Sequence, residues 1–260
     1  WCAAQRDREN TIGFVPTMGA LHNGHLSLVT QACEENAACC ASIFINPLQF
    51  EDPADYSTYP RDTESDLALL KAHGCDMVFM GSLHQFFPEV SDINEIKTLP
   101  AGPHGSGLEE QFRPGHLDGV RTIVERLFRT VGRSRVYFGE KDFQQFRIIS
   151  DMTTALKYNI NINPCKTIRE SNGLAMSSRN EYLTNNQRDR AGIIFTTLQA
   201  GIELINSGQN NKSTIYNKLI SMISSEPIIK IDYLKIVDYN SLKEFNDIID
   251  KKFVICIAVY

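Results

Sequence analysis

The chain has 260 residues, of which 42% are hydrophobic, and this is enough to bury a sizeable core in one or two domains. With 26 Lys and Arg against 31 Asp and Glu, the formal net charge of -5 excludes broad electrostatic capture of nucleic acid or of an anionic membrane. No apolar run approaches the roughly twenty residues of a membrane span, and the first eight residues do not resemble a signal peptide. The composition predicts a soluble protein whose phosphate binding, if any, is local.

Short apolar runs alternate with segments of helical periodicity over the first two thirds of the chain. Strands are predicted at 12–16, 41–46, 76–80, 135–138 and 160–165. Helices are predicted at 25–36, 63–73, 117–131 and 142–157. Because strands and helices alternate, we expect an α/β, Rossmann-like domain with a parallel sheet covered on both faces.

The pattern changes after a turn-like segment at residues 169–173. Two helices and then two strands are predicted, at 187–206, 212–224, 228–238 and 252–260. This order predicts a small C-terminal α+β domain. We place the boundary near residue 168, so that the domains cover residues 1–168 and 169–260.

The cysteines bear on the cellular location of the protein, and the chain ends bear on whether the sequence is a fragment. The seven cysteines are scattered and contain no C-x-x-C pair, which favours reduced, mostly buried thiols and a cytoplasmic location. The chain begins at Trp1 rather than Met and stops within the apolar run 253–260. We therefore expect a fragment that lacks residues at both ends, including the end of the second domain.

The first chemical motif is Pro-Thr-Met-Gly-Ala-Leu-His-Asn-Gly-His at residues 16–25, between the first strand and the first helix. A helix start offers unpaired N–H groups to phosphate, and Gly19 and Gly24 permit close backbone approach. His22 and His25 are three residues apart, so both can face a reacting α-phosphate. An isolated pair of this spacing more often has a structural role or binds zinc, but the strand-loop-helix position favours phosphate.

The second motif is Gly139-Glu140-Lys141-Asp142, at the carboxyl end of a predicted strand, where ligands of open α/β sheets gather. Lys141 can neutralise β- and γ-phosphates, and Asp142 can accept hydrogen bonds from ribose hydroxyls. The alternative is a surface turn in which Asp142 caps the following helix. Of Gln144 and Gln145, at most one is expected to face the site.

The third motif is Met176-Ser177-Ser178-Arg179, between the two predicted domains. Two hydroxyls and a guanidinium on a mobile loop are suited to close over a triphosphate and to stabilise departing pyrophosphate. A solvated turn is the alternative.

Gln49 follows a predicted strand that Pro47 interrupts, and its amide can donate and accept hydrogen bonds to a substrate with a carboxylate and hydroxyls. Arg113 and His116 precede the helix 117–131 and are either structural or functional. His104 is expected in a solvated loop.

Together and in this order, P-T-M-G-A-L-H-x-G-H, N-P-L-Q-F, R-P-G-H, G-E-K-D-F-Q-Q and M-S-S-R-N resemble the pantothenate synthetase family. That family is a branch of the nucleotidyltransferase superfamily, which includes class I aminoacyl-tRNA synthetases. The resemblance implies a ligase that joins pantoate to β-alanine through a pantoyl adenylate. It also implies ATP as a substrate, Mg²⁺ as a cofactor and a homodimer.

The resemblance also implies roles for residues. The implied ATP contacts are Met18, Gly19, Ala20, Leu21, His22, Asn23, Gly24, His25, Gly139, Glu140, Lys141, Asp142, Ile168, Met176, Ser177, Ser178 and Arg179. The implied catalytic residues are His22, His25, Lys141, Ser177, Ser178 and Arg179, with His25 as proton donor to the reacting phosphate. Gln49 and Gln145 would hold pantoate, with Gln49 also near β-alanine.

Two positions depart from the family pattern. Asp62 replaces a threonine, and an acidic pair linked to Mg²⁺ in the family reads Ser65-Asp66 here. Asp66 is the remaining candidate metal ligand, and Mg²⁺ can otherwise enter on ATP phosphates and water.

Three other functions are compatible with parts of the sequence. A simple nucleotidyltransferase, such as phosphopantetheine adenylyltransferase, also uses H-x-G-H, although the two glutamines and the second domain argue against it. A catalytically silent nucleotide-binding regulator is a second alternative, because truncation or the altered Asp62 and Ser65 could abolish turnover. A zinc hydrolase using His22, His25 and His116 would leave Lys141 and the Ser-Ser-Arg motif without a role.

Overall fold

The structure, a computed structural model, describes residues 1–260 apart from the side chain of Ile93. The chain forms two compact units. The first contains residues 1–105 and 113–168, and the second contains residues 106–112 and 169–260. No helix among the described residues combines the length and apolar character needed to cross a bilayer.

The first unit is built on a five-stranded parallel sheet with the strand order β3-β2-β1-β4-β5. Its strands are β1 (Ile12–Thr17), β2 (Ala38–Ile43), β3 (Met77–Met80), β4 (Ser134–Gly139) and β5 (Ile160–Cys165). The predicted α/β, Rossmann-like architecture is confirmed.

The prediction for the second strand was wrong by three residues at each end. The buried Ala38–Cys40 segment already pairs with β1, whereas Asn46 leaves the sheet and its side chain accepts a hydrogen bond from Leu48 N at 3.1 Å. Pro47 then opens a 3-10 helix, Pro47–Gln49, because proline suits the first helical position.

Eleven helices are formed by the described residues. They are α1 (Cys2–Asp7), α2 (Asn23–Glu35), α3 (Pro53–Thr58), α4 (Thr63–Ala72), α5 (Leu83–Phe86), α6 (Glu109–Phe112), α7 (His116–Val131), α8 (Phe143–Ala155), α9 (Asn185–Arg190), α10 (Ile193–Asn206) and α11 (Lys212–Ile223). The sequence pattern does not predict α1, α3, α5 or α6, since each is too short to display a helical period.

Helix α7 supplies much of the core of the first unit. Its apolar residues recur at helical spacing and include Val120, Ile123, Leu127 and Val131, all of which are buried. Gly132 ends the helix in a positive-φ conformation, and its N–H bonds to Phe128 O at 2.8 Å.

The second unit packs α10 and α11 with an antiparallel pair, β6 (Ile231–Asp238) and β7 (Phe253–Val259). The single helix predicted at 187–206 is wrong, because α9 and α10 are separate helices. The chain passes so close to itself at Gly192 that a β-carbon there would lie 2.6 Å from Asn172 O.

Candidate active site

The strand order of the parallel sheet reverses at β1, which lies between β2 and β4. The β1–β2 ladder runs the full length of β1, whereas the β1–β4 ladder consists of Gly13–Arg135 and Phe14–Val136. The carboxyl ends of β1 and β4 therefore flank a topological switch point, where open α/β sheets usually bind ligands. The segments 16–25 and 139–142 both lie at this edge.

The two motif histidines form a reciprocal cap at the start of α2. His22 is the N-cap residue, and its Nδ1 accepts from Gly24 N at 3.1 Å. His25 Nδ1 accepts from His22 N at 3.4 Å, and the ring centroids are 4.0 Å apart. Because backbone N–H groups occupy both Nδ1 atoms, each neutral ring carries its proton on Nε2. An Nε2–H group is the donor that a phosphoryl oxygen requires.

The environment of His25 favours the neutral imidazole. Burial, followed by the charges of His22 and Lys141, lowers the pKa of His25 to about 3, and Asp142 opposes this shift. Since Lys141 and Asp142 act on the pKa of His25, the motifs at residues 16–25 and 139–142 lie close together in the fold. In the free protein His25 is thus a neutral hydrogen-bond donor, and an incoming anionic triphosphate would raise its pKa.

Nuclear magnetic resonance can test this protonation state. At about pH 5, an ordinary histidine is mostly cationic, whereas we expect His25 to remain neutral with its proton on Nε2. Long-range ¹H–¹⁵N correlation spectra report both properties, and His25→Asn assigns the signal by its disappearance. Titration of the His25 ring near pH 6.5 would contradict the prediction.

Lys141 and Asp142 form an ion pair at the entry to α8, with 3.1 Å between Lys141 Nζ and Asp142 Oδ1. Both side chains are exposed, at 37% and 60%. Asp142 occupies the N-cap position of α8, but its side chain makes no capping hydrogen bond. The carboxylate pairs with Lys141 instead, and both side chains are accessible at the surface.

The side chain of Gln49 is buried near the end of β1. Its Nε2 lies 3.1 Å from Met18 Sδ, and its Oε1 accepts from Asn46 Nδ2 at 3.1 Å. These two contacts restrict how the amide can rotate. Gln49 is thereby held in one orientation rather than left to a solvent-exposed rotamer.

Sequence reasoning missed Asn46, which organises this turn. Asn46 is 1% exposed, and it donates to Gly119 O at 3.1 Å as well as to Gln49. His116 Nδ1 lies 2.8 Å from Gln49 O, so this histidine contacts the same turn from the start of α7. The Asn-Pro dipeptide was the available signal, since it favours turn initiation.

The two neighbouring glutamines of α8 have different environments. Gln144 is buried and donates from Nε2 to His104 O at 2.8 Å, whereas Gln145 is partly exposed. The expectation that His104 lies in a solvated loop is wrong. It is 9% exposed, with Nε2 3.3 Å from Asp151 Oδ2, because its loop packs against α8.

In the second unit, the Met176–Arg179 segment is anchored rather than loosely solvated. Ser177 caps a 3-10 helix, Ser178–Tyr182, by accepting from Arg179 N at 3.3 Å. Ser178 is buried, and Arg179 is exposed. Ile168, another predicted ATP contact, is the last residue of the first unit.

The acidic positions do not form a metal cage. Asp66 is 3% exposed, and its two carboxylate oxygens accept from Ala20 N at 2.9 Å and Leu21 N at 2.8 Å. Asp62 caps α4 by accepting from Ser65 N at 3.0 Å, a role that threonine can also fill. Among the described residues, no group of three His, Cys, Asp or Glu side chains is arranged to hold a metal, and this includes the three histidines of the zinc alternative.

An open parallel sheet with paired histidines at its first helix start and a lysine at the neighbouring strand end defines an α/β nucleotide-binding protein of the nucleotidyltransferase type. The sequence model of one family, described as pantoate-beta-alanine ligase, matches residues 1–260. The chain belongs to this ligase family.

Relatives and solved structures agree with this membership. Over 257 residues the chain is 41% identical to a pantothenate synthetase from Herpetosiphon aurantiacus, covering 98% of this chain and 91% of the relative. Over 254 residues it is 42% identical to a pantothenate synthetase from Fervidobacterium nodosum, and the match covers 98% of this chain and 89% of that relative.

Two crystal structures are similar to this chain over nearly its whole length. A pantothenate synthetase from Thermus thermophilus has a TM-score of 0.88 at 36% identity, covering 99% of this chain and 93% of that one. The second is a pantoate-beta-alanine ligase from Francisella tularensis, complexed with beta-gamma ATP and beta-alanine. Its TM-score is 0.74 at 31% identity, and the match covers 99% of this chain and 94% of that chain.

Proposed function

We propose that this protein condenses pantoate with β-alanine to give pantothenate, using ATP and releasing AMP and pyrophosphate through a pantoyl adenylate. The observation that carries this proposal is the convergence of His25 with the Lys141–Asp142 pair at the β1/β4 switch point. The restrained Gln49 beside Met18 adds a subsite for a polar substrate.

The proposed reaction uses groups that the site supplies. Pantoate's carboxylate is ionised at neutral pH and attacks the α-phosphate, so no serine or cysteine nucleophile is needed. His22 and His25 donate Nε2–H to phosphoryl oxygens, while Lys141 neutralises the β- and γ-phosphates. Gln49 and Gln145 hold pantoate in line with the phosphate. The amine of β-alanine then attacks the mixed anhydride, forming the amide and releasing AMP.

The second unit has a proposed role in the same reaction. Ser177, Ser178 and Arg179 would bind the pyrophosphate as it leaves, with Ile168 and Met176 completing the ATP site. The unit would act as a lid that excludes water from the adenylate. We further propose a cytoplasmic homodimer that receives Mg²⁺ on the phosphates of ATP, since the acidic side chains among the described residues do not form a cage for it.

A substrate-dependence assay tests the proposed function. With Mg²⁺ and ATP, we expect AMP to accumulate only when pantoate and β-alanine are both present. With pantoate alone, labelled pyrophosphate should exchange into ATP, because the adenylate forms reversibly. A folded protein that forms no AMP would favour the silent regulator, and adenylyl transfer to phosphopantetheine would favour the simple nucleotidyltransferase. Turnover without pyrophosphate exchange would argue against an adenylate intermediate.

A further inference from the structure

The loop that joins β1 to the histidine motif has an unusual backbone. Gly19 has φ of +78° and Ala20 has φ of +50°. Glycine adopts this region readily, but a residue with a β-carbon is strained there. Something in the surrounding structure must therefore hold Ala20 in this conformation.

Asp66, on α4, supplies the restraint. Its Oδ2 accepts from Ala20 N at 2.9 Å and its Oδ1 accepts from Leu21 N at 2.8 Å, so one buried carboxylate binds two successive amides. Hydrogen bonds to an ionised carboxylate are roughly twice as strong as neutral ones. The fit is close, since a β-carbon at Gly19 would lie 2.7 Å from Asp66 Oδ2.

A second anchor holds the start of the same loop. Thr17 Oγ1 accepts from Gly19 N at 3.2 Å and donates to Ser42 O at 2.7 Å. The amides of Gly19, Ala20 and Leu21 are therefore all directed to acceptors inside the protein. They are unavailable as phosphate donors, so this loop serves the site through its shape.

The shape of the loop determines where two site residues lie. Met18, before the loop, contacts the Gln49 amide, and His22, after it, caps α2 and pairs with His25. We propose that Asp66 is a positioning residue. It holds the amides of Ala20 and Leu21 and thereby fixes the positions of the Met18 and His22 side chains, instead of ligating Mg²⁺. The kinetic part of this inference rests on the proposed function.

Asp66→Asn is the direct test, because asparagine has nearly the same size but only one acceptor oxygen. Its N–H₂ group would face one of the two backbone N–H groups and could not accept its hydrogen bond. We expect exchange of the Ala20 and Leu21 amide protons to accelerate at least tenfold by hydrogen-deuterium exchange. We expect kcat for adenylate formation to fall about tenfold or more, and extra Mg²⁺ not to restore it. Glu64→Gln, exposed on the same helix, is the matched control and should leave both measurements unchanged.

Two substitutions of Ala20 keep the proposal falsifiable if Asp66→Asn folds poorly. Glycine accepts a positive φ freely, so Ala20→Gly in the Asp66→Asn background should recover part of the lost rate. Ala20→Val should reproduce the rate defect with Asp66 intact, since a β-branched residue resists positive φ.

Three outcomes would overturn the assignment of Asp66. The first is parent-like amide exchange in Asp66→Asn. The second is recovery of the activity of Asp66→Asn by added Mg²⁺, which would identify Asp66 as a metal ligand. The third is a parent-like kcat in Ala20→Val. The exchange measurement needs no substrate. A parent protein that protects these amides but forms no AMP would therefore refute the proposed reaction and leave the loop anchor standing.

Discussion

Replacing His25 or Lys141 by alanine is expected to lower the rate of adenylate formation on the order of a hundredfold, equivalent to roughly 3 kcal/mol for a preorganised donor. Both side chains are assigned to negative charge that develops on phosphate during the reaction. Interactions of this kind act mainly in the transition state, so the binding of pantoate should change little. Single-turnover measurement of the adenylate, at saturating ATP and pantoate, provides the rate.

Matched control substitutions separate a specific loss of catalytic rate from a general loss of folding or stability. His84→Ala and Lys71→Ala remove exposed side chains of the same types from the same unit and should react at the parent rate. Gln145→Ala should instead weaken apparent pantoate affinity and recover much of its rate at saturating pantoate. If His25→Ala and Lys141→Ala react like the parent once both substrates saturate, their catalytic roles are wrong.

Adding a single methyl group at Gly119 is expected to disrupt the proposed pantoate subsite. A β-carbon there would lie 2.1 Å from Leu48 O and 2.8 Å from Gln49 N, both backbone atoms that cannot rotate away. In Gly119→Ala, α7 must therefore move away from the Pro47–Gln49 turn. We expect a loss of about 1–3 kcal/mol in the free energy of unfolding, as in other overpacked cores.

The same substitution should affect function through Gln49. Moving the turn separates Asn46 Nδ2 from Gly119 O, so Gln49 loses its fixed orientation and the KM for pantoate should rise severalfold. Urea unfolding and steady-state kinetics measure the two effects. Thr130→Ala, on the exposed face of α7, is the control. A Gly119→Ala protein with parent stability and parent KM would show that the close approach is not required.

Local patterns were sufficient to predict most of the first unit. The helix at 117–131 was predicted from its period and differs from α7 by one residue, and the strand at 160–165 coincides with β5. Two of the wrong predictions concern places where a distant contact is made. Asn172 lies against Gly192 at the junction of α9 and α10, and α8 packs against the loop of His104. Neither contact leaves a periodic signal in the sequence.

The sequence by itself determined the order of strands and helices, the position of the histidine and lysine motifs at strand ends, and the family, because these depend on residue types at short spacing. Only the tertiary structure decided what holds those motifs in place. Asn46 reaches Gly119 across 73 positions, and Asp66 reaches Ala20 across 46. Such contacts form only when the parallel sheet brings separate βα units side by side, so no local pattern of residues could reveal them.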